Sequence, residues 1–299
     1  MASDVQLAIK LGVAYPPPWL STNLHYETVM GSRAYGVAEK DGNNDHDIYG
    51  IAIPPKDLVF PHTAGLIYGF DLIPAFDQWQ QHHVKHPSSE MTWDFQVFSI
   101  VKFFRLAADN NPTIIDSLFT PNECVKHCTS TGRLIRDARK LFLSKLVWKK
   151  FRGYSSSQWH KVESKNPEGK RKETVDKFGF DVKFAYHTFR LLREAEQLLS
   201  EGDLSLTRGN DELKAIRRGE WSLSRCKAEY EKRMIAVEEL HGKTTLPERP
   251  DHERLKKLLL TCLEEHYGSI QSVLPDQDRI KQALREIDSV VGSVRNAIY

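Results

Sequence analysis

Two short motifs near the start of the chain combine residue types that can do chemistry on phosphates. Gly31-Ser32 is followed, after twelve residues, by Asp45-His46-Asp47. A glycine lets the backbone approach a triphosphate, and a serine hydroxyl and amide donate hydrogen bonds to its oxygens. Paired carboxylates supply the hard oxygen ligands that Mg²⁺ or Mn²⁺ prefers. A phosphate cradle beside a metal site predicts nucleotidyl transfer.

The two aspartates fall at the start of a predicted strand that runs to Ile53. Side chains alternate along a strand, so Asp45 and Asp47 project to one face and His46 to the other. At about 3.3 Å per residue their Cβ atoms lie about 6 to 7 Å apart, which suits two ions about 3.5 to 4 Å apart. Taken alone, a Gly-Ser pair or an Asp-x-Asp is usually an ordinary turn or strand end. The spacing is what favours a site.

A second predicted strand, residues 26–30, delivers Gly31, and the segment 41–44 (Asp-Gly-Asn-Asn) supplies the turn between the two motifs. The first motif is not a Walker A loop, because no Lys-Ser or Lys-Thr follows the glycines. Both motifs therefore sit at strand ends beside a turn.

The segment Gly31-Ser32-Arg33-Ala34-Tyr35-Gly36, with Asp45-His46-Asp47-Ile48-Tyr49-Gly50, resembles the nucleotidyltransferases of the DNA polymerase β superfamily. It looks most like RlaP, a predicted nucleotidyltransferase family associated with RNA repair. Later matches are Lys102-Phe103, Asn111-Pro112, Asp181-x-Lys183-x-x-x-His187-x-x-Arg190 and Ile216-Arg217-Arg218-Gly219-Glu220. The likeness covers about residues 26 to 240, with Asn44 and His46 as departures that remove no metal ligand.

The resemblance implies a third carboxylate on a later strand. Residues 91–98 form an aromatic-rich strand candidate, followed by Ser99 as the cap of a helix. Asp94 is the predicted third carboxylate, with Glu90 and Asp77 in reserve. The implied chemistry is two-metal transfer of a nucleoside monophosphate from a nucleoside triphosphate to an acceptor hydroxyl, with release of pyrophosphate.

Basic residues near these motifs are candidates for phosphate contacts. Arg33 and Lys102 are single cations that are as readily explained by solvation as by ligand binding. Lys183, His187 and Arg190 are spaced by four and three on a predicted helix and share one face. That face is either solvent-exposed or a wall of the nucleotide site, as the family pattern implies.

Charge is divided unevenly along the chain. Residues 1–120 hold 7 Lys and Arg against 13 Asp and Glu, whereas the remainder holds 35 against 27. Residues 133–172 hold 13 basic and 3 acidic side chains interleaved with aromatics, including Lys149, Lys150 and Arg152. Basic and aromatic side chains together favour RNA binding, with a tRNA as one candidate partner. The alternative is a helix with its aromatics in the core and its lysines in water.

Composition bounds the class of protein. With 299 residues, 40% hydrophobic and 27% charged, the chain is typical of a soluble globular protein. It has neither a signal-peptide pattern nor an apolar run approaching 18 residues, so we expect no membrane association. Its four cysteines are too few and scattered for a disulfide framework, which favours a reducing cytoplasm.

Two other sets of residues suggest zinc only weakly. Cys124 and Cys128 lack a second matching pair, and His82, His83 and His86 fall in a polar stretch that reads as a loop. This stretch belongs to residues 56–90, which we expect to be an insertion with loops over the nucleotide.

The predicted fold class is α+β. A small mixed sheet of polymerase β type with helices (residues 1–120) precedes an all-helical substrate- or nucleotide-binding domain (residues 121–299). Helices are predicted over 180–199, 204–218, 221–241, 252–267 and 277–298. The predicted function is metal-dependent nucleotidyl transfer to an RNA end, such as that of a tRNA. Transfer to a protein side chain and a non-catalytic nucleotide- or RNA-binding module are the alternatives.

Overall fold

The computed structural model describes residues 3–38, 45–164 and 170–268, together with residues 284, 285 and 287. The predicted turn at 41–44, with Asn44, and nearly all of the predicted helix 277–298 lie outside the described residues. The fold is α+β, as predicted, with a mixed sheet flanked by helices.

The sheet has five strands in the order β3-β4-β2-β1-β5. Only β2 and β4 run parallel to each other, and the other neighbours are antiparallel. In chain order the strands are β1 (Leu24–Val29), β2 (Asp45–Ala52), β3 (Gln78–Lys85), β4 (Thr92–Ser99) and β5 (Val125–Cys128). The strand that carries Asp45 and Asp47 therefore lies at the centre of the sheet.

Helices surround the sheet and continue beyond it. They are α1 (Asp4–Lys10), α2 (Gly31–Ala34), α3 (Lys56–Val59), α4 (Ile100–Ala108), α5 (Pro112–Leu118), α6 (Ser130–Asp137), α7 (Leu146–Ser164), α8 (Lys170–Phe178), α9 (Val182–Glu201), α10 (Asn210–Arg217), α11 (Leu223–Lys243) and α12 (His252–Tyr267). Within the ranges given above, no helix is both long and apolar enough to cross a bilayer.

Helices α4 and α9, which both carry candidate site residues, have well-defined ends. The hydroxyl of Ser99 caps α4 by accepting a hydrogen bond from the backbone N–H of Lys102 at 3.2 Å, as predicted. The Asp181 carboxylate caps α9, and Gly202 ends it in the left-handed conformation, with φ of 60°. These caps fix where Asp94, on the strand before α4, and Lys183, at the start of α9, stand in space.

Packing joins the two predicted parts of the chain. Helix α4 covers β2 and β4, and α6 covers β1. In the second half, α9 packs against α7, α10 and α11, while α12 returns to contact α4 and α6. The predicted boundary at residue 120 precedes β5, which pairs with β1, so the sheet draws on both sides of that boundary.

Sequence patterns missed two strands, β3 and β5, and β5 lies in the part of the chain that was predicted to be all-helical. The stretch containing His82 and His83 was expected to be a loop, but it lies in β3 and pairs with β4. His86 follows directly, and its ring contacts that of Trp93, with 5.3 Å between centroids. Helix α10 is also shorter than the predicted 204–218, because Gly209 precedes it in the left-handed conformation.

Candidate active site

The register between β2 and β4 brings the predicted carboxylates together. Asp47 is the direct partner of Asp94 across the two parallel strands, and Asp45 is the partner of Thr92. The Thr92 hydroxyl donates a short hydrogen bond to the Asp45 carboxylate. Asp94, the residue predicted to be the third carboxylate, therefore lies beside Asp47 on the neighbouring strand.

Gly31 lies against the carboxylate of Asp47. A Cβ atom on Gly31 would stand 2.2 Å from Oδ2 of Asp47, and the residue has a φ of 67°. The backbone N–H of Met30 also donates to the Asp47 carbonyl at 2.7 Å. Because both the conformation and the space exclude a side chain, the glycine of the first motif is required by the second.

Burial and neighbouring charge both act on Asp47. Burial raises the pKa of Asp47, and the neighbouring Asp94 carboxylate raises it further, with Asp45 adding a smaller effect of the same sign. His46 projects behind the strand, where burial and nearby Arg33 and Lys126 lower its pKa to about 4. Crowded carboxylates on one face are an arrangement that a cation stabilises.

A cavity of about 470 Å³ opens beside the two motifs. Its lining on the sheet side is Gly31, Ser32, Tyr35, Asp45 and Asp47. Its opposite wall comes from α8, α9 and α10 and consists of Thr174, Phe178, Val182, Lys183, Tyr186, His187 and Arg217. Two of the predicted basic residues, Lys183 and His187, therefore face the carboxylates across a space large enough for a nucleotide.

Arg217 is a cavity residue that was not predicted. Its guanidinium donates to the carbonyl of Val37 at 2.9 Å and lies 5.5 Å from the centre of the Tyr186 ring. It belongs to the Ile216-to-Glu220 segment that carries part of the family resemblance. The family resemblance of that segment could have indicated Arg217 as a site residue. Nothing in the spacing of its residues, however, shows that α10 packs beside α9.

Arg190 does not lie on the cavity wall, contrary to its predicted place among nucleotide-binding residues. It is buried, with Nη1 2.5 Å from Asp116 Oδ2 and 2.8 Å from Glu194 Oε1. Its guanidinium also stacks 4.2 Å from the centre of the Tyr35 ring, whose hydroxyl donates to Asp116 at 2.8 Å. The spacing rule placed it correctly on the helix, but two of its partners, Asp116 and Tyr35, come from distant segments.

The two single cations also lie away from the cavity. Lys102 stands 3.7 Å from the Asp77 carboxylate. Arg33 is exposed, and its charge acts on Asp4 and His46, on the opposite side of β2 from Asp47. Neither is among the residues that line the cavity.

The basic aromatic segment divides into core and surface. Phe142, Phe151 and Trp159 are buried, as the core alternative predicts. Of the three basic candidates, Lys149 is exposed, Lys150 pairs with Asp109, and Arg152 lies 3.9 Å from Glu238 and over Trp148. The aromatic rings therefore offer less surface for bases than the sequence suggested.

The donor set suits a divalent cation. Asp45, Asp47 and Asp94 offer only carboxylate oxygens, the donors that Mg²⁺ and Mn²⁺ favour, and the missing side chain of Gly31 lets the Asp47 carboxylate lie close to the Gly-Ser backbone. In the part of the chain that the structure describes, no three His, Cys, Asp or Glu side chains already stand in a metal-binding arrangement. Asp45 is turned to Thr92, and Asp94 accepts from the backbone N–H of His83.

The weaker zinc candidates form no such cluster either. Cys124 is buried, Cys128 is half-buried, and both thiols are free. Burial raises the pKa of each thiol, which disfavours the thiolate that zinc requires.

The mixed sheet, its paired aspartates and the glycine beneath them are those of a nucleotidyltransferase of the DNA polymerase β type. The chain matches the family model described as "RlaP: RNA repair pathway DNA polymerase beta family" over residues 19–291, and it belongs to that family.

Among solved structures, the chain matches that of a nucleotidyltransferase-like protein from Exiguobacterium sibiricum 255-15. It is 8% identical, with a TM-score of 0.28 over 80% of this chain and 73% of that one. No curated protein gave a significant match.

Proposed function

We propose that this protein transfers a nucleoside monophosphate from a nucleoside triphosphate to a terminal hydroxyl of RNA, a tRNA being one such acceptor. The observation that carries the proposal is the pairing of Asp47 with Asp94 across β2 and β4, with Gly31 packed against Asp47. Membership of a family named for RNA repair supports RNA as the acceptor.

The carboxylates of Asp45, Asp47 and Asp94 would hold Mg²⁺ or Mn²⁺. When bound, such an ion acidifies a hydroxyl and neutralises phosphate oxygens. Asp94 stands at the edge of the site and accepts the proton of the attacking hydroxyl. The new bond joins the acceptor oxygen to the α-phosphorus, the bond from that phosphorus to the bridging oxygen breaks, and pyrophosphate leaves.

The cavity walls supply binding rather than bond chemistry. Gly31 and Ser32 offer backbone and hydroxyl donors to the phosphates, and Lys183 and Arg217 place positive charge across from them. Phe178, with Val182 and Tyr186 near it, gives an apolar surface for the base. Positioning and electrostatics of this kind account for most of the rate increase in phosphoryl transfer.

The test is incubation with each labelled nucleoside triphosphate and Mg²⁺, together with total RNA or total protein. Label on RNA supports the proposal. Label on protein instead would favour transfer to a side chain, and nucleotide binding without transfer would favour a non-catalytic module.

Asp47→Asn is the decisive variant. We expect transfer to fall by about 100-fold or more, because the central ligand loses its charge. The thermal midpoint should not fall, since the substitution removes a buried carboxylate whose pKa is already raised. Asp211→Asn, at an exposed position on α10, is the matched control and should remain active. An active Asp47→Asn enzyme would refute the assignment of the site.

A further inference from the structure

Strand β3 is interrupted opposite the third carboxylate. Gln81 pairs with Phe95 and Val84 pairs with Trp93, so two residues of β3, His82 and His83, oppose the single residue Asp94 of β4. This is a β-bulge, which disrupts the alternation of side chains and re-aims them. Two consecutive histidines are thereby brought to the same carboxylate.

The contacts of the bulge all converge on Asp94. The backbone N–H of His83 donates to Oδ1 of Asp94 at 2.6 Å. The same oxygen lies 3.6 Å from Nδ1 of His82 and 3.7 Å from Nδ1 of His83. His83 adopts a φ of 54°, in the left-handed region that is uncommon for residues other than glycine, although histidine enters it more readily than most. Strain of this kind concentrates at functional sites.

Packing does not explain why two imidazoles should stand here. The side chain of His83 is 91% exposed and that of His82 is 48% exposed. A ring that is exposed on a strained backbone contributes little to the core. Both rings are instead open to a ligand that approaches Asp94 from the side of β3.

The bulge lies across Asp94 from the nucleotide cavity. That cavity is bounded by Gly31, Asp47 and the helical wall that bears Lys183, and neither Asp94 nor any residue of β3 lines it. In-line transfer requires the attacking hydroxyl to approach from the side opposite the departing pyrophosphate. The side of Asp94 that remains for the acceptor is the one with the two histidines.

We propose that His82 and His83 form the acceptor-binding wall of the active site and hold the end of a single-stranded RNA beside Asp94. Imidazole rings stack on unpaired bases and donate hydrogen bonds to phosphate oxygens. The two residues are positioning residues, since they orient the strand whose hydroxyl reacts. This inference rests on the proposed transfer to RNA and adds the surface that binds the acceptor.

Two variants test this wall. His83→Asn removes the ring while keeping a residue type that tolerates the left-handed conformation, and His82→Ala removes the neighbouring ring. His252→Asn, at an exposed position at the start of α12, is the matched control. The measurements are the affinity for a fluorescein-labelled single-stranded RNA of about 12 nucleotides by anisotropy, the affinity for ATP, and the KM for RNA in transfer.

We expect each wall variant to weaken RNA binding and to raise the KM for RNA by about 5- to 10-fold, as loss of one stacked base would. The affinity for ATP should stay within about two-fold of the wild type, and the control should match the wild type throughout. Unchanged RNA affinity in both variants, or a parallel loss of ATP affinity, would overturn the acceptor wall. A wild-type protein that binds RNA through this wall but transfers nothing would instead count against the proposed function. A wild type that fails to bind RNA would refute both.

Discussion

Gly31 shows how a single backbone position controls the site. Its positive φ is one that other residues adopt only at a cost, and its missing side chain is what lets the Asp47 carboxylate come close. The residue thus has two separable requirements, one of conformation and one of space. Elsewhere in the chain, Gly12 has a similar φ of 70° with nothing within 4 Å of a Cβ atom placed there.

Gly31→Ala and Gly12→Ala should therefore behave differently. Both substitutions strain the backbone and should lower the free energy of unfolding by about 1 to 2 kcal/mol. Only Gly31→Ala drives a methyl group into Asp47, so only this variant should lose nucleotide affinity, by about 10-fold or more. Thermal melts and ATP titrations measure the two effects. Equal ATP affinity in the two variants would show that nucleotide binding does not depend on the close approach of Asp47 to Gly31.

The residues of the site differ in how far the sequence could reveal them. Asp45 and Asp47 follow from local spacing, whereas Asp94 was chosen because the family resemblance implies a third carboxylate on the strand before the helix that carries Lys102. Arg190 was assigned to the wrong surroundings because helical spacing gives a face but not its partner. Its contact with Asp116 joins residues 74 positions apart, which no local pattern encodes.

At the scale of elements, hydrogen bonds to one buried acidic side chain hold the start of α1 against the sheet. Glu27, in the middle of β1, accepts hydrogen bonds from the backbone N–H groups of Asp4 at 2.6 Å and Val5 at 3.4 Å, and from the Ser3 hydroxyl. Burial raises its pKa to about 7 despite these donors. The acid therefore stabilises the fold most fully when it carries a proton.

The sign of the resulting pH dependence follows from linkage. A carboxyl whose pKa rises from 4.5 to about 7 on folding contributes stability that is fully present below pH 4.5 and is lost as the pH rises through 7. We expect this loss to be about 1 to 3 kcal/mol. Glu27→Gln, which stays neutral, should remove this part of the dependence and should be more stable than the wild type above pH 7. Urea unfolding between pH 5 and 8 measures it, and parallel curves for the two proteins would contradict the assignment.

Elements with strong apolar patterns were predictable, whereas a polar strand was not. β1, β2 and β4 lie within a few residues of their predicted positions, and α12 has its predicted bounds. β3, with the sequence Gln-Trp-Gln-Gln-His-His-Val-Lys, carries too few apolar residues for a period-2 signal. It exists because its backbone pairs with β4 and because Trp79 stacks on Phe95, with 5.5 Å between ring centroids. Such long-range pairing is invisible to a local pattern.

At the scale of the whole molecule, a buried ion cluster joins the sheet to the helical half. Arg190 of α9 contacts Asp116 of α5, and it stacks on Tyr35, which follows the Gly-Ser motif. Glu194, one turn further along α9, completes the cluster, and burial raises its pKa well above the ordinary value. The cluster therefore joins α9 to the sheet side of the candidate nucleotide cavity through Tyr35, which lines that cavity, while Arg190 itself does not.

Arg190→Met and Lys183→Met distinguish a role in stabilising the fold from a role in binding the nucleotide, for two residues of α9. Arg190→Met leaves two carboxyl groups buried without their cation, which should cost about 3 to 5 kcal/mol and lower Tm by about 10 °C. Lys183→Met removes an exposed charge that faces the carboxylates, so it should leave Tm nearly unchanged and weaken ATP binding by about 10-fold. Calorimetry and ATP titration together test the pair. A stable Arg190→Met protein with weakened ATP binding would restore Arg190 to the nucleotide site.

The basic residues of the second half of the chain are expected to affect RNA affinity. Reversing charge at Lys149, Lys150 and Arg152 should reduce RNA binding and lower the slope of log K against log salt by up to about 2, if each cation meets one phosphate of a single strand. The matched control reverses charge at the exposed residues Arg254, Lys256 and Lys257 of α12 and changes the net charge equally.

Anisotropy titrations from low to high salt compare the two triple variants. Because Lys150 and Arg152 already lie near Asp109 and Glu238, most of the effect should come from Lys149, and the single variant Lys149→Glu should reproduce a large share of it. Equal losses in both triple variants would mean that net charge alone attracts RNA. A loss confined to the α7 variant would place the path of the RNA along that helix.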